Sequence, residues 1–327
     1  MIYLDKQNTN PFYNIAAEEI ALKSRNEDIL MLWVNDTSVV VGKHQNTIAE
    51  VNQRYIWENN VPVIRRLSGG GTVFHDSGNL NYSIITNVEN KERTIDFPKF
   101  TDPIIKFLDN FGINATFHGK TNLGVNGKKI SGNAAHIFKN RVLHHGTLLF
   151  NCDLEKLELS IKPNEIEVTD KSIKSVRSNI INLTDLIPNI KSIDNFREQL
   201  KHFLFEYLNI NNSKLFSSEE IKQIKQLVDN KYSKPEWNYG YSPTYQYNKT
   251  IFYDGEDVSL WLDVKKGIIV DLRLISSNIP EEIINLIKNS IINELHYPVT
   301  MNKILKKIDK SLNTTGMDSS FLFNLIF

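Results

Sequence analysis

The sequence predicts an α+β protein with a mixed β-sheet in a large first domain and a small α+β domain at its C-terminal end. Short apolar, β-branched segments follow one another in the first half of the chain without regularly spaced helices, which favours a mixed sheet over a doubly wound parallel one. Residues 231–248 are rich in proline, glycine and aromatic side chains and mark a boundary. The length of 327 residues allows one large domain and a smaller companion. We therefore expect domains at residues 1–245 and 246–327.

Individual elements of the first half follow from local patterns. Residues 14–24 place apolar and charged side chains at helical spacing, which predicts an amphipathic helix capped near Asn14. Apolar runs at 29–34 and 38–41, separated by Asn35-Asp36, predict two strands joined by a tight turn. Further predicted elements are a helix at 97–111 and strands at 61–67, 72–74, 80–86, 129–131 and 144–150.

The C-terminal part has its own pattern. Residues 250–253, 258–264 and 268–274 resemble a strand meander, with a turn at 265–267. Pro280 lies near the predicted start of a helix, and isoleucines recur at helical spacing after it. This combination predicts a small α+β unit.

Composition and charge exclude several classes of protein. The 38 Lys and Arg residues balance 38 Asp and Glu residues, so no global positive field would attract nucleic acid or an anionic membrane. No segment reaches the ~18 apolar residues of a membrane span. The single cysteine, Cys152, forms neither an intramolecular disulfide nor a thiolate cluster, and the N-terminal residues lack a secretory pattern. We expect a cytoplasmic protein that binds neither nucleic acid nor membranes.

A glycine triplet, Gly69-Gly70-Gly71, lies between two predicted strands and follows Arg65 and Arg66 closely. Residues without a Cβ let backbone amides approach a ligand, and arginine supplies forked donors suited to phosphate or carboxylate. The combination suggests an anion-binding loop. A flexible hairpin tip with solvated arginines explains the same residues equally well.

Two other motifs carry groups that could take part in chemistry. The Asn126-Gly127 turn explains Lys128 as a solvated residue, whereas Lys129 precedes the apolar Ile130 and is the better candidate for an ammonium that neutralises charge on phosphoryl or acyl oxygens. His144 and His145 are neighbours in a predicted strand, so at most one of them faces a shared pocket. Histidine spacings do not fit a zinc site.

Taken together, these segments resemble the lipoate-protein ligases, relatives of the biotin-protein ligases. The resemblance covers residues 12–245, and beyond them the chain matches by position and size more than by motif. The matching motifs, in the order and spacing of that family, are residues 65–71, 74–76, 78–81, 129–132, 144–148 and 174–178. Residues 14–19, Trp33 with Gly42, Gln45 and Asn46, and the segment 237–243 are similar to that family too.

The resemblance implies an ATP-dependent ligase with a mixed-sheet, biotin/lipoate ligase-like catalytic domain and a small C-terminal accessory domain. Lipoate would attack the α-phosphate of ATP, supplied with Mg²⁺, to give lipoyl-AMP and pyrophosphate. A lysine of an acceptor protein would then take the lipoyl group. The implied acceptors are apo lipoyl domains, of the type found in 2-oxoacid dehydrogenase E2 subunits or in the H protein of glycine cleavage.

The same resemblance implies roles for individual residues. Lys129 would be catalytic and contact the α-phosphate and the acyl carbonyl, Trp33 would help to line a tunnel for the dithiolane tail, and residues 171–182 would order over the adenylate. Metal ligands stay unknown, because Asn122 stands where many relatives have a carboxylate. The implied lipoyl- and ATP-binding residues are Arg66, Ser68, Gly69, Gly70, Gly71, Val73, Phe74, His75, Asn79, Ser131, Gly132, His145 and Arg177.

Three alternative functions are compatible with the sequence. An ATP-independent octanoyl or lipoyl transferase, or an amidotransferase, of the same superfamily would pass the acyl group through a cysteine, and Cys152 is the only thiol. Its position at the end of a predicted strand favours a structural role for that thiol. A noncatalytic lipoyl-binding protein and a biotin ligase are the other two alternatives.

Overall fold

The structure is a computed structural model that describes residues 1–5, 8–88, 95–161, 166–312 and 317–327. Its largest sheet is mixed, as predicted, because β1 pairs in parallel with β2 and β13 whereas the other neighbours are antiparallel. In spatial order the six strands are β10 (Asn133–Phe138), β11 (Arg141–Leu149), β6 (Asn79–Asn87), β2 (Ile29–Val34), β1 (Ile2–Leu4) and β13 (Ser213–Lys214).

Two three-stranded sheets carry the loops of interest. The glycine triplet connects β4 to β5, and both strands pair with β3. The predicted strands at 29–34 and 38–41 are present, but they lie in different sheets, so they do not pair with each other across Asn35-Asp36. In spatial order the strands are β4 (Val63–Arg65), β3 (Ser38–Val41) and β5 (Val73–His75) in one sheet, and β7 (Thr116–His118), β8 (Asn122–Val125) and β9 (Lys128–Ser131) in the other.

Helices cover both faces of the six-stranded sheet. On one face α4 and α6 pack against alternate side chains such as Tyr82 and Ile84, and on the other α1 and α7 pack against Met31 and Ile85. This two-sided burial explains why the central strand β2 is apolar throughout its length. The helices of this region are α1 (Pro11–Ser24), α2 (Thr47–Glu50), α3 (Gln53–Glu58), α4 (Phe97–Asp109), α5 (Leu154–Ile161), α6 (Ile193–Tyr207), α7 (Ser218–Leu227) and α8 (Pro235–Asn238), with a 3₁₀ turn at Leu183–Asp185 and a π-helix at Val228–Tyr232.

Helix α1 differs from its prediction in two respects. It begins at Pro11 rather than near Asn14, because Asn10 caps it by accepting a hydrogen bond from the Tyr13 amide at 3.1 Å and proline favours the first helical position. The predicted polar face is also wrong, since Glu18 and Glu19 are only 2% and 3% exposed. Glu18 is buried against Ser83 and His145, and Glu19 against Lys231 and Tyr232 as well as the nearby Lys23.

The C-terminal unit is an antiparallel sheet covered by helices, and the predicted meander is present. Its turn is predicted at 265–267, and the structure has Lys265 at the end of a strand and left-handed backbone at Lys266 and Gly267. One edge strand, β12, comes from before the predicted domain boundary at residue 245, and that boundary stays a prediction. No helix within the described ranges is long and apolar enough to cross a membrane. The elements are β12 (Glu167–Asp170), β14 (Tyr245–Tyr253), β15 (Glu256–Lys265), β16 (Ile268–Ile275), α9 (Glu281–Ile291), α10 (Pro298–Leu312) and α11 (Ser319–Ile326).

Candidate active site

Two cavities meet beside residues 68–72, which contain the glycine triplet and which we call the glycine loop. The first, which we call the α5 cavity, has a volume of about 900 Å³ and is lined by Leu154 and Leu157 of α5. The second, the Trp33 cavity, has a volume of about 540 Å³ and has Ile15, Trp33 and Val40 among its walls. The residues that line both cavities form a shared wall; they are Thr72, Val73, His118, Lys129, Thr147 and residues 175–178.

Lys129 occupies this shared wall. The turn before it has left-handed backbone at Asn126 and Gly127, with φ of 52° and 75°, and it leaves Lys128 exposed and turns Lys129 inward, as predicted. A Cβ on Gly132 would lie 3.1 Å from the Lys129 Nζ, so the amine lies directly against this glycine. Burial lowers the pKa of Lys129, and the Arg66 guanidinium adds to the lowering.

Arg66 organises the glycine loop from inside. Its Nη2 donates to the carbonyl oxygens of Gly69 and Gly71 at 2.6 and 2.7 Å, and its Nε donates to Ser68 Oγ at 3.0 Å. Gly70 has a φ of +83°, and a Cβ there would lie 3.1 Å from Arg66 Nη2, so only glycine suits the position. Arg66 therefore contributes positive charge to the Trp33 cavity while its hydrogen bonds hold the loop.

Arg65 points away from the cavities, and neither arginine is solvated. The buried Arg65 guanidinium donates hydrogen bonds to the loop at residues 42–47 and to the segment at 237–242. Seven acceptors surround it, namely the carbonyl oxygens of Gly42, Lys43, Gln45, Trp237 and Asn238 and the hydroxyls of Thr47 and Ser242. The hairpin-tip interpretation of the glycine triplet is therefore wrong.

A buried hydrogen-bonded chain links the glycine loop to α1. Ser68 Oγ lies 2.6 Å from His145 Nε2, and His145 Nδ1 lies 3.0 Å from Glu18 Oε1. Ser83 Oγ also donates to Glu18 at 2.6 Å and accepts from Trp33 Nε1 at 2.9 Å. Because the Glu18 carboxylate can only accept, His145 Nδ1 carries a hydrogen and the ring is held in one orientation.

The neighbouring histidine faces the opposite side of the sheet. His144 stacks on Phe100 with 5.0 Å between ring centroids, and burial lowers its pKa to about 3. His145 lines the Trp33 cavity. The prediction that at most one histidine of this pair faces a pocket is confirmed.

The segment at 171–178 lies over both cavities and is attached to the glycine loop through Ser175. The Ser175 hydroxyl accepts from the Thr72 amide at 2.9 Å and from Gln45 Nε2 at 3.0 Å, and it donates to the Glu50 carboxylate. Nearby, Lys129 donates its amide hydrogen to the Asn179 carbonyl at 2.7 Å. Contacts this distant in sequence have no local signal, and sequence reasoning missed Glu50 as part of the site.

Comparisons with known proteins agree with this geometry. Residues 10–205 match the family model of the lipoyl protein ligase A/B catalytic domain. The chain belongs to the lipoate-protein ligase family. It is 36% identical over 279 residues to lipoate-protein ligase LplJ of Bacillus subtilis, covering 84% of each chain. It is also 36% identical over 290 residues to lipoate-protein ligase 1 of Staphylococcus aureus, covering 88% of each chain.

Solved structures of lipoate-protein ligases have the same fold. A lipoate-protein ligase A bound with ATP superposes with a TM-score of 0.64 at 27% identity, over 73% of this chain and 98% of that one. LipL1 of P. falciparum in complex with lipoate gives 0.62 at 25% identity, over 99% of both chains. A ligase of Thermoplasma acidophilum, described together with its E2 lipoyl domain, gives 0.63 at 26% identity, over 73% of this chain and 96% of that one. The predicted family and the predicted mixed-sheet α+β fold are confirmed.

Most of the site residues expected for a lipoate-protein ligase lie on the two cavities. Asn79, Ser68 and Ser131 are instead fully buried behind the walls, and Asn79 donates to Asn81 at 3.0 Å. Gly69 is also not one of the described residues that line either cavity. Those that do line a cavity are Arg66, Gly70, Gly71, Val73, Phe74, His75, Lys129, Gly132, His145 and Arg177.

Cys152 lies outside this site. Its thiol is buried, and it is not among the described residues that line either cavity. Burial raises the pKa of the thiol, and the neighbouring Asp76 carboxylate raises it further. Because the thiolate is the reactive form, these surroundings make the sulfur inert.

Proposed function

We propose that this chain is an ATP-dependent lipoate-protein ligase that forms lipoyl-AMP and then transfers the lipoyl group to a lysine of an acceptor lipoyl domain. The position of Lys129 on the wall shared by two cavities carries the proposal. Adenylation requires an acyl carboxylate and an α-phosphate to meet beside a cation, and it requires no nucleophile from the protein.

The two cavities suit the two small substrates. We assign the lipoyl chain to the Trp33 cavity, where Ile15, Trp33 and Val40 supply apolar walls. We assign ATP to the larger α5 cavity, where Leu154 and Leu157 supply apolar surface for the base. The carboxylate and the α-phosphate then meet at the shared wall.

In the first step a lipoate oxygen forms a bond to the α-phosphorus while the bond to the pyrophosphate oxygen breaks. The Lys129 ammonium stabilises the negative charge that gathers on the phosphoryl oxygens. In the second step the acceptor amine attacks the acyl carbonyl, and AMP leaves. The same ammonium lies where charge develops on the carbonyl oxygen, so one cation serves both steps.

Magnesium would enter with the nucleotide as part of the substrate complex. Among the described residues, no group of three His, Cys, Asp or Glu side chains is placed to hold a metal ion. Mg²⁺ bound to a nucleotide depends mainly on phosphate oxygens and water, with one or two protein ligands at most. Asn122 lines the Trp33 cavity and is not among the described residues that line the α5 cavity, so we assign it no contact with the nucleotide-bound ion.

The proposed acceptors are apo lipoyl domains of the E2 type or of the glycine cleavage H protein type, and the proposed compartment is the cytoplasm. The likeness to the T. acidophilum ligase, described with its E2 lipoyl domain, supports an acceptor of this kind. The test is to incubate the protein with ATP, Mg²⁺, lipoate and a panel of apo domains, and to weigh the products. We expect one domain to gain the mass of one lipoyl group only when ATP is present.

Two controls separate the alternatives. Replacing lipoate by biotin tests biotin ligation, and a biotinylated product without a lipoylated one would refute the proposal. Omitting ATP while supplying an acylated donor domain tests the transferase. The Cys152 thiol is buried and unreactive, which argues against the transferase activity.

A further inference from the structure

His75 lines the Trp33 cavity and has a buried ring nitrogen without a hydrogen-bond partner among the described residues. The residue is 3% exposed and lines this cavity, and within the described part of the chain its Nε2 has no hydrogen-bond partner. Its ring packs edge-on against Trp33, with 6.0 Å between the ring centroids. The other ring nitrogen, Nδ1, lies 3.0 Å from Asn35 Nδ2. Nε2 is therefore the unpaired nitrogen of this ring.

The orientation of two asparagine amides decides where the hydrogen of His75 lies. Asn14 Nδ2 is 2.8 Å from the carbonyl oxygen of Asn8 and 3.1 Å from that of Val34. Carbonyl oxygens only accept, so this end of the Asn14 amide is its NH₂ group. That group also lies 2.8 Å from Asn35 Oδ1, which must accept. The NH₂ group of Asn35 then points at His75.

These hydrogen bonds, which we call the Asn14–Asn35–His75 relay, determine the tautomer of His75. An amide NH₂ group only donates, so His75 Nδ1 accepts and the neutral ring carries its hydrogen on Nε2. Burial lowers the pKa of His75 to about 3, and the Arg66 guanidinium adds to the lowering. The ring is therefore neutral near pH 7, and it holds one N–H donor of fixed direction.

The position of His75 indicates which part of an acyl substrate meets this donor. The carboxylate must lie at the shared wall, where Lys129 and the nucleotide are. His75 and Trp33 line the Trp33 cavity but are not among the residues that line the α5 cavity, so the tail of the acyl chain extends toward them. An alkyl tail has no acceptor, whereas a dithiolane sulfur is a weak acceptor that also packs well at aromatic edges.

We propose that His75 is a specificity-determining residue that recognises the dithiolane end of lipoate through its Nε2–H, with Asn14 and Asn35 as positioning residues. This proposal rests on the proposed ligase function. A substrate without sulfur, such as octanoate, leaves the buried donor unpaired. One neutral hydrogen bond corresponds to about a 3- to 10-fold difference in kcat/KM.

The test compares lipoate with octanoate in ATP-dependent pyrophosphate release. We expect the wild-type protein to prefer lipoate, and His75→Phe, which keeps an aromatic ring without the donor, to reduce the lipoate-to-octanoate ratio of kcat/KM by about 3- to 10-fold. His296→Phe is the matched control, because His296 is equally buried but lies in the C-terminal unit. That variant should keep the wild-type ratio.

A spectroscopic measurement tests the relay independently. In the ¹⁵N spectrum of the wild-type imidazoles, His75 should show a protonated Nε2 and an unprotonated Nδ1 at neutral pH. Asn35→Leu removes the donor to Nδ1, so it should release the fixed tautomer and lower the lipoate preference. Adding lipoate to the wild-type protein should shift the Nε2 signal, and adding octanoate should leave it in place, which tests the proposal even when the variants fail to fold.

Several results would overturn the proposal. One is a wild-type protein whose kcat/KM is no higher for lipoate than for octanoate. Another is an equal reduction of kcat/KM for both acids in His75→Phe, which would place the donor at the carboxyl end that both acids share. A hydrogen on Nδ1, or equal shifts of Nε2 with both acids, would overturn it as well. By contrast, the absence of ATP-dependent pyrophosphate release with either acid would reject the ligase function itself.

Discussion

Replacing Lys129 by alanine tests the central assignment of the site. The variant removes the ammonium from the wall shared by the two cavities, and its side chain packs against Gly132, where a flexible amine can be lost without breaking the fold. A single aimed donor contributes about 2.7–4 kcal/mol to transition-state stabilisation, because a partly buried site screens the charge poorly. We therefore expect Lys129→Ala to lower kcat/KM for pyrophosphate release by about 100- to 1,000-fold.

The chain supplies a matched control at the adjacent position. Lys128 has the same charge and lies in the same turn, but it is exposed, and surface charges of this kind contribute about 0–1 kcal/mol. Lys128→Ala should therefore keep nearly full activity. Both variants are compared by lipoate-dependent pyrophosphate release and by thermal unfolding. Normal turnover by a folded Lys129→Ala protein would refute the assignment, as would an equal loss in both variants.

Three further predictions concern other parts of the molecule. Cys152→Ala should lipoylate an acceptor domain at close to the wild-type rate, because its thiol is buried outside the cavities; loss of the mass gain would contradict this. Glu50→Gln weakens the attachment of Ser175 and should raise proteolysis at 171–178, with Glu58→Gln, an exposed residue, as control. Burial lowers the pKa of His296 from 6.5 to about 4. Between these pH values the unfolded chain binds a proton that the native protein does not, so the free energy of unfolding falls as the pH drops. We expect His296→Phe to reduce the fall in this free energy between pH 7 and pH 4.5 by about 2–3 kcal/mol, measured by urea unfolding at both pH values.

The parts of the site that could be predicted from sequence are those that lie in one continuous motif. The Asn126-Gly127 turn has a definite backbone geometry, and strand alternation then decides which of two adjacent lysines or histidines points inward. Both inferences use only neighbouring residues. They placed Lys129 inward, where it lines both cavities, and allowed only one inward histidine, which the structure shows to be His145.

The contacts that sequence reasoning missed involve partners far along the chain. Glu18 and Glu19 have the spacing of a solvated helix face. Lys23, four residues further along the helix, is a local partner of Glu19, but no local pattern places His145 beside Glu18 or Lys231 beside Glu19. Asn35 has the composition of a turn, yet its amide is buried between Asn14 and His75. A hydrophobic pattern cannot distinguish a charge in water from a charge buried against a complementary group.

The seven acceptors around Arg65 have a consequence for how much of the chain makes a stable catalytic unit. Three of them belong to Trp237, Asn238 and Ser242, beyond residue 205 where the family match ends. A protein truncated at that residue would retain every cavity-lining side chain named above and still leave a buried cation short of hydrogen bonds directly behind the glycine loop. The smallest fragment able to support the glycine loop therefore extends past Ser242.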